Sequence, residues 1–163
     1  MTFTIRPAGL PDLPALGRLG AMLVRLHHDF DPDRFLAATA ETERSYTSWL
    51  GSQISTPDAV VLVAERGGEV LGYAYGGIEG TDYLTLRGPS GVLYDLMVDP
   101  DYRGQGVGRA LLDAALAALA ERGAPRVVLV RAHRNASAQR LFARAGFRPT
   151  MVEMTREMPA QGG

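Results

Sequence analysis

The fold class predicted for this chain is α/β: a mixed sheet with helices on both of its faces. Three observations predict it. The hydrophobic period switches between 2 and 3.6 along the chain and reads as β-α-α-β-β-β-α-β-α-β. The middle strands are joined by short turns, so they pair antiparallel. A strand–helix–strand unit follows, and that connection sets two strands parallel.

Taken in order, "FTIRP" is a short strand closed by Pro7. "DLPALGRLGAMLVRL" places Leu13, Leu16, Leu19, Leu23 and Leu26 at helical intervals behind Asp12, a residue type that caps helices. "HHDFDPDRF" interrupts that helix. A second helix carries Tyr46, Trp49, Leu50 and Ile54 along one side. "AVVLVAERGGEVLGYAYGG" reads as two strands joined at Gly67-Gly68, and "GVLYDLMVDP" as a central buried strand. A helix follows to about Arg122, then the strand "RVVLVRA". In "NASAQRLFARAGF", Asn135 sits where a cap belongs, Gly146 where a stop belongs, and Ala138, Leu141, Phe142 and Ala145 form one stripe. "MVEMTREM" alternates as a last strand. Residues 1–158 read as a single domain and 159–163 as a flexible tail.

Composition narrows the function. A length of 163 residues suits one domain, and 46 % apolar residues supply its core. A net charge of −1 argues against a general nucleic-acid binder. All 17 basic residues are arginine, so the chain has no lysine to acylate. With no cysteine there is no disulfide, no thiolate metal site and no cysteine nucleophile, and no metal is expected. No apolar run reaches about 18 residues, so no membrane span is expected. The N-terminus lacks the pattern of a secretory signal, which makes the cytoplasm the default location.

The most informative stretch is "DYRGQGVGRALL", residues 101–112, with Gly104, Gly106 and Gly108 at the mouth of a helix. Glycine costs about 1 kcal/mol against alanine within a helix, so bare backbone must be needed here. The first N–H groups of a helix lack internal partners and attract anions. Glycine lets the chain curl with φ > 0 and lets a phosphate approach. Arg103 and Arg109 flank the curl and add charge. The stretch reads as a pyrophosphate cradle. It is not a P-loop, which requires a lysine. Nor does it match the dinucleotide fingerprint, because its spacing is G-x-G-x-G and Val127 and Val128 stand where an acid is needed.

The pattern that fits is Arg103-x-x-Gly106-x-Gly108. Here the sequence resembles the GNAT superfamily of acetyl-CoA-dependent N-acetyltransferases. "LYDLMVDPDYRGQGVGRALL" is similar to the family's fourth strand, pyrophosphate loop and third helix, and "VLVRAHRNASAQRLFARAGF" to its fifth strand and fourth helix. The resemblance implies a GNAT-like acyl-CoA N-acyltransferase fold and acetyl-CoA as cosubstrate. The backbone of Arg103, Gly104, Gln105, Gly106, Val107 and Gly108, with Arg109, would hold the pyrophosphate. Leu96, Met97 and Val98 would pair with the pantetheine arm between splayed fourth and fifth strands. The Val98 N–H would face the developing oxyanion. Asn135 would contact the arm, with Ser137 helping and Phe142 nearby.

Two positions depart from the family pattern. Phe142 replaces the usual tyrosine acid; a thiol pKa of about 8.5 makes thiolate a tolerable leaving group, and water or Ser137 could supply the proton. Tyr94 stands where many relatives carry a glutamate. A base acting through water held around Tyr94 is therefore expected, with Glu79, Asp82, His28 and His133 as candidates and His27 beside the same inter-helix segment. Asp95 is in the right strand, but alternation aims it away from the Tyr94 side. Tyr73 and Tyr75 serve equally as substrate wall or as core. The expected activity is acetyl transfer to a primary amine by direct attack in a ternary complex. The alternative is a non-catalytic acyl-CoA-binding module of the same fold, with a dinucleotide enzyme behind it. The acceptor is a small-molecule or peptide amine, and a homodimer stays open.

Overall fold

The sheet is built outward from one turn. Gly67 and Gly68 both have positive φ, +60° and +85°, and join β2 (Ala59–Arg66) to β3 (Glu69–Glu79) as the Gly-Gly pair predicts. The computed structural model describes residues 2–162. β1 (Thr4–Pro7) pairs antiparallel with β2, and β3 pairs antiparallel with β4 (Ser90–Val98). β4 pairs parallel with β5 (Val127–Leu129), giving the order β1-β2-β3-β4-β5. The crossover between β4 and β5 is α3 (Val107–Glu121). The remaining helices are α1 (Leu13–Phe30), α2 (Thr42–Ile54) and α4 (Ala136–Arg144).

Alternation along β2 divides the core. Val60, Leu62 and Ala64 face Leu111, Leu112, Ala115 and Leu119 of α3. Val61 and Val63 face Leu16 and Leu19 of α1 and Leu50 of α2. Each of these fully buried leucines contributes about 1.5–3 kcal/mol of transfer energy. Gly20 brings α1 and α2 together: a Cβ there would lie 2.2 Å from the Tyr46 ring. That close approach fixes where Tyr46 stands.

Three expectations are corrected. Asp12 caps no N–H of α1; its carboxylate accepts from the Gly9 N–H at 2.8 Å and from Arg6 at 2.7 and 2.9 Å. The first helix also continues through His27 and His28 to Phe30, because Pro32 is the first residue that cannot extend it. The last strand does not form. An alternating pattern becomes a strand only beside a free strand edge, and β5 has three residues before the chain leaves β4. Met151, Val152 and Met154 are exposed, and Glu153 is instead ion-paired to Arg34 in the α1–α2 connection. The mixed α/β class itself holds. No helix among the described residues is long and apolar enough to cross a membrane.

Candidate active site

The glycine loop has the geometry its sequence requires. Gly104 has φ +74° and Gly106, the N-cap of α3, has φ +83°. A Cβ built on either meets no atom within 4 Å, so the backbone borders open space. The N–H groups of the first turn of α3 face that space without helical partners. Arg103 Nε lies 3.4 Å from the Val98 carbonyl oxygen. Arg109 is held along α3 by Asp113 at 2.9 Å, and Gln105 accepts from Arg66 at 3.2 Å. The open space and the flanking arginines suit an anion.

Next to the loop the sheet opens. The last pair between β4 and β5 is Leu93 with Leu129, while β4 continues to Val98. The Asp99 N–H donates to Leu71 O at 2.9 Å, in register with Gly72–Val98 and Tyr73–Met97. Antiparallel ladder bonds come at alternate residues, so Met97 turns its backbone groups to β3. Leu96 and Val98 turn theirs to the open side. An extended amide-bearing arm could pair there as a strand does. Met97 takes no part in that opening, since its side chain is buried among Leu16, Leu19 and Tyr73.

A cavity of about 340 Å³ lies at the opening, with Leu96, Ala132, Asn135, Phe142, His27 and Tyr46 in its lining. A second cavity, about 540 Å³, adjoins it; Tyr46, Tyr94 and Asp95 line both. Strict alternation would send Tyr94 and Asp95 to opposite faces. It fails because Tyr75 opposes Asp95 and Gly76 opposes Leu93, leaving Tyr94 as the extra residue of a bulge. The bulge brings both side chains to the same place, which overturns the expected orientation of Asp95.

Asp95 is the one carboxylate lining both cavities. The Tyr73 hydroxyl donates to its Oδ2 at 2.9 Å, and Oδ1 has no protein donor among the described residues. Burial pushes its carboxyl above the ordinary value, with the Tyr73 bond and nearby His27 pulling it partly back. Burial, with Asp95 close by, pushes the Tyr46 phenol up to about 12. Burial and then Glu79 raise the Tyr94 phenol. Its hydroxyl donates to Glu79 Oε1 at 2.6 Å, and Glu79 Oε2 accepts from Arg87 at 2.6 Å. Those two bonds hold Glu79 below the usual carboxylate range.

The other predicted residues scatter. Asp82 binds the Leu84 N–H and the Thr85 hydroxyl within the turn between β3 and β4. His28 Nδ1 is 2.9 Å from Phe35 O and braces the α1–α2 connection. His133 and Ser137 are exposed, and neither lines either of these two cavities. Asn135 lines the opening while its Oδ1 caps α4 at the Ala138 N–H, 3.0 Å away. Sequence reasoning did not place Tyr46 and Trp49 in the site. They share a helical stripe with buried Leu50, and spacing alone does not separate wall from core.

A family model described as the acetyltransferase (GNAT) family matches residues 23–147, more than half of the chain. The chain belongs to the GNAT family. A relative, the mycothiol acetyltransferase of Cellulomonas flavigena, is 32 % identical over 170 aligned residues, covering 98 % of this chain and 48 % of that protein. The chain thus spans about half the length of this curated relative. Among solved structures, a GCN5-related N-acetyltransferase from Ralstonia eutropha is 27 % identical with a TM-score of 0.73, covering 96 % of this chain and 99 % of that one. The PaiA N-acetyltransferase of Thermoplasma acidophilum, solved with coenzyme A, shares the fold at 18 % identity and a TM-score of 0.74, over 94 % of each chain.

In this GNAT chain Phe142 lines the opening and stacks edge-on against Phe147, centroids 5.8 Å apart. It also packs against the core beneath α3. Phe142→Tyr is expected to leave turnover equal to wild type or up to about 10-fold higher, less than a fully positioned acid supplies. Steady-state kcat measures it; a collapse in a folded variant would show that this helix does not border the reacting sulfur.

Proposed function

We propose that the chain transfers an acetyl group from acetyl-CoA to a primary amine by direct attack in a ternary complex. The observation that carries this reading is the continuity of the site. The positive-φ glycine loop, the unpaired Leu96 and Val98 N–H groups and the Asp95 carboxylate follow one another along β4 and its extension. The relative from Cellulomonas is named an acetyltransferase, and the PaiA neighbour was solved with coenzyme A, which supports the same reading.

The residues divide the work as follows. The loop from Arg103 to Gly108, with Arg109, binds the pyrophosphate. Leu96 and Val98 orient the pantetheine arm, and the Val98 N–H stabilises the oxyanion that forms on the thioester oxygen. An amine with a pKa of about 10 enters as its ammonium ion and must lose a proton before its lone pair attacks. Asp95 accepts that proton through Oδ1, directly or across one water. The C–N bond forms, the C–S bond breaks and the thiolate leaves with the electron pair; the attacking nitrogen sheds its second proton, which passes through water to the thiolate. Tyr94 and Glu79 form the wall beside this path. Deprotonation is thus assigned to the residue that alternation had set aside, with Glu79 behind Tyr94 in a lesser role.

Free thiol release from acetyl-CoA, followed with a thiol reagent over a panel of amines, tests the reading. Amine-dependent release is expected. Tight CoA binding with no release for any amine would support the non-catalytic module instead.

A further inference from the structure

The acceptor cavity has a composition of its own. Six residues line it: Ser45, Tyr46, Trp49, Tyr75, Tyr94 and Asp95. Four are aromatic and one is a carboxylate. No arginine or histidine is among them, in a chain with 17 arginines. We infer that this cavity is an aromatic box for a small organic ammonium ion whose carbon skeleton is apolar and which carries no anionic group near the amine. The inference rests on the acetyl-transfer reading and names its acceptor class.

The core accounts for Tyr75 and Tyr46 but not for Trp49 and Tyr94. Leu50 is fully buried and packs α2 against the sheet, whereas its neighbour Trp49 is 55 % exposed and Tyr94 is 42 % exposed. Both leave aromatic surface open to the cavity, where a protein usually places polar groups. The rings are held in place. Tyr75 and Tyr94 lie 4.9 Å apart at 38°, the Tyr75 hydroxyl donates to Gln53 at 3.1 Å, and Tyr94 donates to Glu79. Gly20 seats Tyr46. Ring faces attract a cation, and more so when water is excluded. Asp95 adds a carboxylate to the lining, and Glu79 is hydrogen-bonded behind Tyr94. His27, Arg34 and Arg131 line only the adjoining cavity, and Arg34 is paired with Glu153, so an acceptor bearing a carboxylate or phosphate beside its amine would meet these charges without a countercharge in the box itself. An α-amino acid or a sugar phosphate is therefore disfavoured.

Trp49 is the only tryptophan in the chain, so its emission reports this cavity alone. Benzyltrimethylammonium carries the cation and the ring but cannot be acetylated. It is expected to change Trp49 fluorescence saturably and to inhibit competitively against the amine and not against acetyl-CoA. Phenethylamine and phenylalanine differ by one carboxylate. Phenethylamine is expected to be the better acceptor by at least about 100-fold in kcat/KM, as for a charge left unpaired in a site. Trp49→Ala should raise the phenethylamine KM about 10-fold while the acetyl-CoA KM stays, and Trp49→Phe should restore most of the loss.

Equal use of phenylalanine and phenethylamine would overturn the inference while leaving acetyl transfer intact. Absence of both quenching and competition would overturn it too. Quenching by benzyltrimethylammonium with no thiol release for any amine would uphold the box and overturn the acetyl-transfer reading. An unchanged phenethylamine KM in Trp49→Ala would remove Trp49 from the box.

Discussion

Valine at position 106 is expected to weaken coenzyme A binding by at least about 100-fold in a chain that still folds. Gly106 has φ +83° and ψ 0° and ends the loop as the N-cap of α3. A side chain there costs about 1–3 kcal/mol of backbone strain. That is small against a typical folding free energy of about 5–15 kcal/mol. A Cβ at this position touches no atom within 4 Å, so the valine does not collide with the protein. It fills the space in front of the α3 N-terminus, where the pyrophosphate must lie. Relaxing the strain would also turn the N–H groups away from that space. Both effects reduce affinity and leave the core alone. Calorimetric titration with coenzyme A, on a variant whose circular dichroism matches wild type, measures the loss. Undiminished affinity would mean that the anion is not bound here.

Gly108 is a less clean probe than its place in the motif implies. It has no positive φ, and a Cβ there would lie 3.6 Å from Val98 Cγ2 and 3.8 Å from Leu141 Cδ2. A Cβ there fits in ordinary contact with β4 and α4, and it is the two γ-methyls of valine that would crowd those elements. Valine at 108 would act by prying those elements apart, with a fall in melting temperature as well as in affinity.

The fold was legible where one local rule governs one element. Gly67-Gly68 makes a hairpin, the Asn135 cap and Gly146 stop bound α4, and the alternating glycines open α3. It was not legible where the outcome depends on a partner. The pattern of "MVEMTREM" is that of a strand, yet a strand needs a free edge to bond to, and none is engaged. Asp12 had the residue type of a cap, but Arg6 six residues earlier captured its carboxylate.

The site shows the same division. The phosphate loop is a local object and could be read in sequence. The base is not, because its position depends on a bulge between Tyr75 and Gly76 that no residue of β4 announces. Alternation is a sound rule until one residue is inserted, and a single insertion reverses every orientation beyond it. Tyr46 and Trp49 reach the site only because α2 is packed tightly onto α1 at Gly20. That packing is a long-range fact with no spacing of its own.

Asparagine at position 95 is expected to lower kcat/KM about 10³-fold, within the usual range for a positioned base, and to raise thermal stability at neutral pH. The loss follows from removing the carboxylate that lines both cavities. Asparagine keeps the oxygen that accepts from Tyr73, so the geometry survives and the proton acceptor does not. The stability change follows from the direction of the pKa shift. The folded carboxyl titrates above its ordinary value of 3.8, chiefly because burial penalises the charge. Ionised Asp95 therefore costs folding free energy. The cost is absent below the unfolded value, grows as pH rises through the interval between the unfolded and folded values, and is constant above it. Asp95→Asn should melt higher than wild type at pH 7 and equally at pH 3. In wild type the acid limb of kcat/KM should reflect a carboxylate raised above its ordinary range, and that limb should vanish in the variant. Melting curves at the two pH values and a pH–rate profile measure all three effects. Near-wild-type kcat/KM in Asp95→Asn would return the proton to a water relay around Tyr94. Loss of activity with a lower melting temperature at pH 7 would show that Asp95 serves the fold rather than the reaction.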